Sequence, residues 1–248
     1  QVLEAYEEGM KALNSNDVLF AAKKFNEAEI LFPQSEWAPK SALMAAYSYY
    51  IQDYYGDSIA ELERFKKVYP NHKNLDYANY LLAVCYYEQI VDEKKDLQSI
   101  LNAKKNFNYV IKNFPQTEYS LDSEFKLDLI NDILASKEMY IGRYYLQQKK
   151  WISAINRFKT VINDYQTTIY VEEALYRLVE TYYLLGLKDE AKKYANLLGY
   201  NFQSSEWYEK SYSLFNKTYV QNKKLNQSKE KVNYKLIKKV KSLFEWDE

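Results

Sequence analysis

Cysteine and histidine each occur once in this 248-residue chain, as Cys85 and His72. A protein metal site takes three or four ligands, and a nucleophilic thiol needs a base beside it, so two isolated residues exclude both kinds of centre. Cys85 is expected to be a buried filler without an internal disulfide, and His72 a turn residue bonding locally. Glycine and proline are also scarce, at five and four, which disfavours a sheet with many tight turns and favours long helices. No glycine-rich phosphate loop is present, and Gly56-Asp57-Ser58 reads only as a bend. Arginine is confined to Arg64, Arg143, Arg157 and Arg177, a poor supply for bidentate phosphate reading. The 34 basic side chains match 34 acidic ones, so no global field draws the chain to nucleic acid. Every apolar run is far shorter than a bilayer-spanning segment. Carboxylate pairs such as Glu7-Glu8 and Glu172-Glu173 are expected on solvated faces. No enzymatic activity, cofactor or metal is predicted.

What the chain has in excess is tyrosine, 27 of them, and one recurring phrase. Phe32-Pro33-Gln34-Ser35-Glu36-Trp37 returns as Phe114-Pro115-Gln116-Thr117-Glu118-Tyr119 and as Phe202-Gln203-Ser204-Ser205-Glu206-Trp207. Looser copies stand at Tyr165–Tyr170 and at Val68-Tyr69-Pro70. An aromatic closes one amphipathic run, Pro or Gln stops it, and Ser or Thr follows to accept from the free amides of the next helix. Pro33, Pro70, Pro115, Gln166 and Gln203 lie 37, 45, 51 and 37 residues apart. Those intervals are at or above the period of about 34 residues of tetratricopeptide helix pairs. The tyrosine pairs Tyr49-Tyr50, Tyr86-Tyr87, Tyr144-Tyr145 and Tyr182-Tyr183 sit inside three-and-four-residue apolar periods, which argues for helix over strand.

The fold predicted is all-α, a tetratricopeptide-like helical solenoid of five helix pairs with a capping helix and a C-terminal amphipathic helix. The first pair reads as helices over 2–14 and 17–32, with Gly9, Ala21, Phe25 and Ala28 at the small, small, large and small contact positions. In the second, Gly56 and Asp57 mark the bend. In the third, the polar stretch 92–96 is a surface loop that delays the return helix to about Ser99. Residues 120–148 form one long helix of about 43 Å, which opens the fourth pair. Gly186 marks the bend of the fifth. Residues 205–216 cap the stack, because a terminal repeat must cover its apolar face. After a lysine-rich linker, Val232, Leu236, Ile237, Val240, Leu243 and Phe244 share one face of a last helix, with lysines around the other. That helix has three readings: it docks on the repeats, fills a partner's groove, or lies on an anionic membrane surface.

The first helix of each pair is expected to line the concave side of such a stack. The register then places Tyr6, Met10, Leu43, Tyr47, Tyr50, Tyr77, Tyr80 and Tyr87 there, a surface suited to an extended or aromatic-tipped peptide. Each of these tyrosines also has a plain reading as inter-helix packing. The fourth and fifth pairs present Arg143, Glu173, Tyr176, Glu180 and Tyr183 on the corresponding surface, a mixture suited to a folded, polar partner.

At Pro70-x-His72-x-Asn74-Leu75-Asp76-Tyr77-x-x-Tyr80 the chain resembles the BamD (ComL) family. The Phe-Pro-Gln-Ser phrase, the long linking helix and Ala191-Lys192-Lys193-Tyr194-Ala195 extend the likeness over roughly residues 4 to 200. The resemblance implies a lipid-anchored protein of the outer membrane, on its periplasmic face, in the machinery that folds and inserts β-barrel proteins. It implies two partners, a POTRA domain of BamA and the targeting segments of unfolded barrel proteins. The family's substrate role carries onto Tyr77 and Tyr80, with Tyr47, Tyr50 and Tyr87 added by the face count. The partner-docking residues are Arg143, Tyr176, Glu180 and Tyr183. On this basis residues 1–118 form the substrate groove, 119–201 the docking repeats and 202–248 the cap, linker and basic helix. Two departures stand out: Tyr183 occupies the place where the family carries a basic residue for the POTRA contact, and in place of an acylated cysteine at the mature amino terminus the single cysteine is the internal Cys85, so lipidation is expected to lie just upstream of Gln1 or to have been removed. The alternative is a generic tetratricopeptide adaptor of periplasm or cytosol.

Overall fold

The computed structural model describes residues 1–90 and 97–216. The expected loop 92–96 and C-terminal amphipathic helix lie outside those residues. Among the described residues there are eleven helices and no strand: α1 (Val2–Asn14), α2 (Val18–Leu31), α3 (Trp37–Tyr50), α4 (Tyr55–Val68), α5 (Leu75–Glu88), α6 (Leu97–Asn113), α7 (Glu118–Gln147), α8 (Trp151–Asp164), α9 (Val171–Leu184), α10 (Lys188–Asn201) and α11 (Glu206–Phe215). They form two compact units, Gln1–Lys137 and Glu138 onward, and α7 runs through the boundary.

Within a pair, the link from sequence to packing is a core triad on the second helix. Ala21, Phe25 and Ala28 of α2, Ser58, Leu62 and Phe65 of α4, Ala103, Phe107 and Val110 of α6, and Ala154, Phe158 and Val161 of α8 are all fully buried. The spacing i, i+4, i+7 keeps the three on one stripe of a helix. In the first and fourth pairs a residue with no side chain stands opposite the large member. A Cβ on Gly9 would sit 2.8 Å from the Phe25 ring, and one on Gly142 would sit 2.5 Å from that of Phe158. The absent methyl is what lets the two helices of these pairs approach over a phenylalanine.

Bends within pairs repeat one hydrogen-bond motif. Asn16, Asp53, Lys149 and Gly186 all take left-handed backbone angles, with φ of 65°, 61°, 57° and 78°. The amide after each reaches back to the first helix: Asp17 N–H to Ala12 O, Tyr54 to Tyr49, Lys150 to Tyr145 and Leu187 to Tyr182. This six-to-one closure satisfies carbonyls that a helix end would leave free. Gly186 therefore serves as expected, but Gly56 and Asp57 do not mark a bend. They lie in the first turn of α4, and Asp53 makes the turn, because a short polar side chain tolerates the left-handed region that the expectation reserved for glycine.

Between pairs, the recurring phrase closes on the carbonyl of its aromatic. Ser35 donates both N–H and Oγ–H to Phe32 O, Thr117 does the same to Phe114 O, and Thr168 to Tyr165 O. The forward capping bond expected of these hydroxyls is made by Thr117 to the Ser120 amide and by Ser205 to the Trp207 amide. In the copy at Tyr69 the amide donor is His72, whose Nδ1 accepts from the Asn74 N–H at 3.2 Å. The ring also stands edge-on to Phe65. Burial and the Lys73 charge hold His72 below its ordinary pKa, as an acceptor in a turn requires.

The final aromatic of the phrase joins successive pairs. Trp37 packs on Tyr6 at 5.0 Å between ring centroids, Tyr119 on Tyr80 at 5.1 Å, and Trp207 on Tyr176 at 5.3 Å. The capping helix α11 is seated by Trp207 and Tyr208 against Val171, Leu175 and Leu198.

Candidate functional site

In the first unit the tyrosines of α3, α5 and α7 form two groups of touching rings. Tyr47 lies 6.3 Å from Tyr50, and Tyr77 and Tyr80 lie 5.5 and 5.1 Å from Tyr119. Tyr47, Tyr50 and Tyr77 are half-buried over the core of Ala42, Leu62, Phe65 and Leu82. These rings therefore pack against the core while keeping part of their surface exposed. Tyr80 Oη donates to Asp122 Oδ2 at 2.6 Å. Lys126 Nζ lies 3.8 Å from the same Asp122 oxygen and 4.9 Å over the ring of Tyr87. Tyr80 and Tyr87 each contact Phe107, so α5, α6 and α7 are laced around one buried ring. Tyr87 thus belongs to a cation-capped corner rather than to the Tyr77–Tyr119–Tyr80 group. Burial first, and in the case of Tyr80 the Asp122 carboxylate as well, push the Tyr77 and Tyr80 hydroxyls well above the ordinary phenol range. Both stay protonated through neutral pH.

The second unit carries an alternating charge ladder. Arg143 of α7 contacts Glu173 of α9 at 2.9 Å; Arg177 contacts the same Glu173 at 3.2 Å and Glu180 at 2.9 Å. Two guanidinium groups and two carboxylates neutralise one another in a row. Glu173 is buried, with a side chain only 11% exposed, so the expectation of a solvated Glu172-Glu173 pair fails at its second member. The reason is tertiary: arginines from two helices converge there and offset the cost of desolvating the carboxylate. Arg177 also lies 5.6 Å over Tyr176 and 5.7 Å over Trp207, and Lys210 Nζ sits 3.9 Å over the same Trp207 ring. Tyr183 stands apart from this ladder, with its ring edge-on to Phe215 at 5.5 Å.

Sequence reasoning passed over Tyr119 and Asp122 in the first unit and Arg177, Trp207 and Phe215 in the second. Tyr119 and Trp207 did carry a signal, as the closing aromatics of a phrase read only as punctuation. Arg177 carried a partial signal, with Glu173 four residues before it and Glu180 three after it on α9, but its place beside Trp207 depends on α11. Cys85 is buried and 3.3 Å from Ser58 Oγ, with its thiol pushed up to about 11 by burial, so it is unreactive at neutral pH. Among the described residues no group of His, Cys, Asp and Glu could hold a metal ion, and no helix is long and apolar enough to cross a membrane.

Comparison with known proteins resolves the kinship. A family model described as YfiO, outer membrane lipoprotein, matches residues 1–197. The outer membrane protein assembly factor BamD of Rickettsia prowazekii is 44% identical over 209 residues, covering 84% of this chain and 83% of that protein. The chain belongs to the BamD (YfiO) family. BamD of Caulobacter vibrioides is 42% identical over 211 residues, covering 85% of this chain and 69% of that one. BamD of Neisseria meningitidis serogroup A is 32% identical, with 82% and 80% covered. The family match thus spans all five pairs with the two tyrosine-bearing surfaces.

Proposed function

We propose that this chain is a non-catalytic scaffold in outer membrane protein assembly, associated with the outer membrane on its periplasmic face through a lipid anchor. The first unit receives aromatic-tipped targeting segments of unfolded barrel proteins on Tyr47, Tyr50, Tyr77 and Tyr80, with Tyr87 at the margin. The second docks a POTRA domain of BamA over Arg143, Tyr176, Glu180 and Tyr183. The observation that carries the reading is the kinship to proteins named as assembly factors at over 40% identity across most of the chain. The chemistry of the surfaces supports each assignment. Tyrosine rings already held by packing lose little entropy on binding and supply both stacking and hydroxyl donors. The ladder of the second unit is internally neutral, so it offers hydrogen-bonding edges to a folded partner without a net field.

Two measurements test the proposal. Purified protein should bind a POTRA-containing partner at low salt; no interaction there removes the docking half. Tyr80→Ala combined with Tyr87→Ala should weaken capture of a peptide ending in an aromatic residue about tenfold or more, at ~1–2 kcal/mol for the lost rings. Unchanged affinity in a double variant of native helicity removes the groove from these tyrosines.

A further inference from the structure

The second helix of the third pair has an unusual composition. In 17 residues α6 holds four asparagines, three lysines and no acidic residue. The other second helices, α2, α4, α8 and α10, each carry at least one Asp or Glu. Asparagine is among the weaker helix formers, because its side chain competes for nearby backbone groups. Four in one surface helix are therefore not explained by helix stability. Nor do they serve the core: Ile100, Ala103, Phe107 and Val110 take the buried face, and none of the four asparagines is buried.

Their place in the fold shows what they face. Both α4 and α6 pack on α5, and all three helices line a groove of about 670 Å³. Asn102, Lys105, Asn106, Tyr109, Lys112 and Asn113 form one wall of it, at the spacings of three and four that keep them on a single stripe of α6. Glu63 and Lys66 of α4 and the half-buried Tyr86 of α5 also line it. Lys66 lies 3.9 Å from Glu63 and 5.8 Å over the ring of Tyr109, which is 48% exposed. Lys105 and Lys112 make no ion pair among the described residues, so the groove carries a net positive charge. The Asn106 amide donates to Asn102 O at 2.9 Å and that of Asn113 to Tyr109 O at 2.8 Å. Each amide is thereby held on the helix, with its Oδ1 and second hydrogen left to meet a ligand.

We propose that the groove between α4 and α6 binds an extended acidic peptide segment of a partner protein. Lys105 and Lys112 pair with two of its carboxylates, Asn106 and Asn113 with its backbone, and Tyr109 packs on a side chain between them. The spacing fits such a chain. Lys105 and Lys112 are two turns apart, about 10.5 Å along the axis at 1.5 Å per residue. A polyproline-II segment repeats every three residues and rises about 3.1 Å per residue, so carboxylates at i and i+3 share one side about 9 Å apart. Its backbone has no internal hydrogen bonds, and an asparagine offers it a donor and an acceptor at once. A lipid headgroup or a free phosphate would use the lysines but leave the asparagine stripe without a role. None of Tyr47, Tyr50, Tyr77, Tyr80 and Tyr87 lines this groove, so the inference is independent of the function proposed above.

The test uses the full chain and a fluorescent synthetic peptide of repeated Glu-Pro-Tyr, which sets glutamates at i and i+3, read by anisotropy at low salt. Wild type should bind it, and the same peptide with glutamine for glutamate should bind at least tenfold more weakly. Lys105→Gln with Lys112→Gln should weaken binding tenfold or more. Lys188→Gln with Lys192→Gln, an equal change of charge in the second unit, should leave it unchanged. Asn106→Ala with Asn113→Ala should weaken it about fivefold or more without altering charge. Alanine is the stronger helix former, so that loss would not come from melting of α6. No binding by wild type, or equal affinity in the two lysine variants, would overturn the proposal. Loss in the Lys105 and Lys112 variant alone, with the asparagine variant binding as wild type, would reduce the groove to diffuse charge attraction and overturn it equally. Phosphatidylglycerol vesicles that bind wild type but not that lysine variant, with no peptide bound, would give the groove to a lipid headgroup instead.

Discussion

His72 is the chain's single histidine, so its titration can be read without assignment. Its Nδ1 accepts the Asn74 amide and so must be unprotonated, and its folded pKa is depressed by burial and by Lys73. A depressed pKa means that the unfolded chain binds the proton more readily. The stabilisation is therefore full above the ordinary value of about 6.5 and is lost as pH falls through the folded value. Proton NMR should place the ring's midpoint below 6.5; a midpoint at or above it would contradict the acceptor role. The two kinds of glycine give a sharper contrast. Alanine for glycine inside a helix gains about 1 kcal/mol from backbone propensity, so only a close contact can reverse the sign. Gly142→Ala drives a methyl into the buried Phe158 ring and should lower stability by about 1–3 kcal/mol net, since overpacking outweighs propensity. Gly56→Ala, with nothing within 4 Å, should be neutral or stabilising by up to ~1 kcal/mol. Denaturant midpoints decide both. The small residues at Gly9 and Gly142 were legible because a helical repeat demands them opposite a large residue, whereas the turn at Asp53 was not, because a glycine three residues later drew the bend to itself.

At the scale of elements, the second helices α2 and α4 are tied by one network that no periodicity announces. Glu29 on α2 is buried and takes a two-pronged contact from Arg64 on α4, at 2.8 and 2.5 Å, and a hydrogen bond from Tyr69 Oη at 2.8 Å. Arg64 in turn holds Glu61 at 2.9 Å. Glu29→Ala removes the shared acceptor and leaves a half-exposed guanidinium and a half-buried phenol without it. The cost is about 1–2 kcal/mol, discounted because Arg64 can still reach water and Glu61. A double-mutant cycle of Glu29→Ala with Tyr69→Phe should show coupling of about 0.5 kcal/mol or more, and additivity would separate the two bonds. Helix existence was readable here from apolar spacing and the stop phrases, since each pair repeats the same local solution. Glu29 and Glu173 were not readable as buried, because an acidic residue in an amphipathic helix looks solvated until arginines from neighbouring helices arrive beside it. For Arg177 the carboxylates are local to α9, and only the Trp207 ring that α11 brings could not be read from spacing.

For the molecule as a whole, the balance of charge conceals an internal division: the 32 residues after Asn216 hold nine lysines and four acidic residues, so the preceding repeats are net acidic. Composition alone showed a neutral chain, and only position reveals that the cationic part is confined to the end. The larger consequence of the architecture concerns how stability is distributed. In a stack, each pair is held by itself and its neighbours, so a loss in one place propagates over short distances instead of abolishing the whole fold at once. Phe25 and Phe158 are the large members of their triads, both fully buried, one in each compact unit. Truncation of either to alanine should cost about 3–5 kcal/mol at its own site. With Phe158→Ala, amides of α8, α9 and α10 should exchange markedly faster while those of α1–α4 keep their native rates; with Phe25→Ala the pattern should reverse. Hydrogen exchange followed by mass spectrometry resolves the two units in one experiment. Equal acceleration along the chain in either variant would mean that both units open as one, and would refute the nearest-neighbour account. If the patterns do separate, a variant of the first unit can be assayed for peptide capture while the second keeps its docking face, which makes the two proposed binding roles independently measurable.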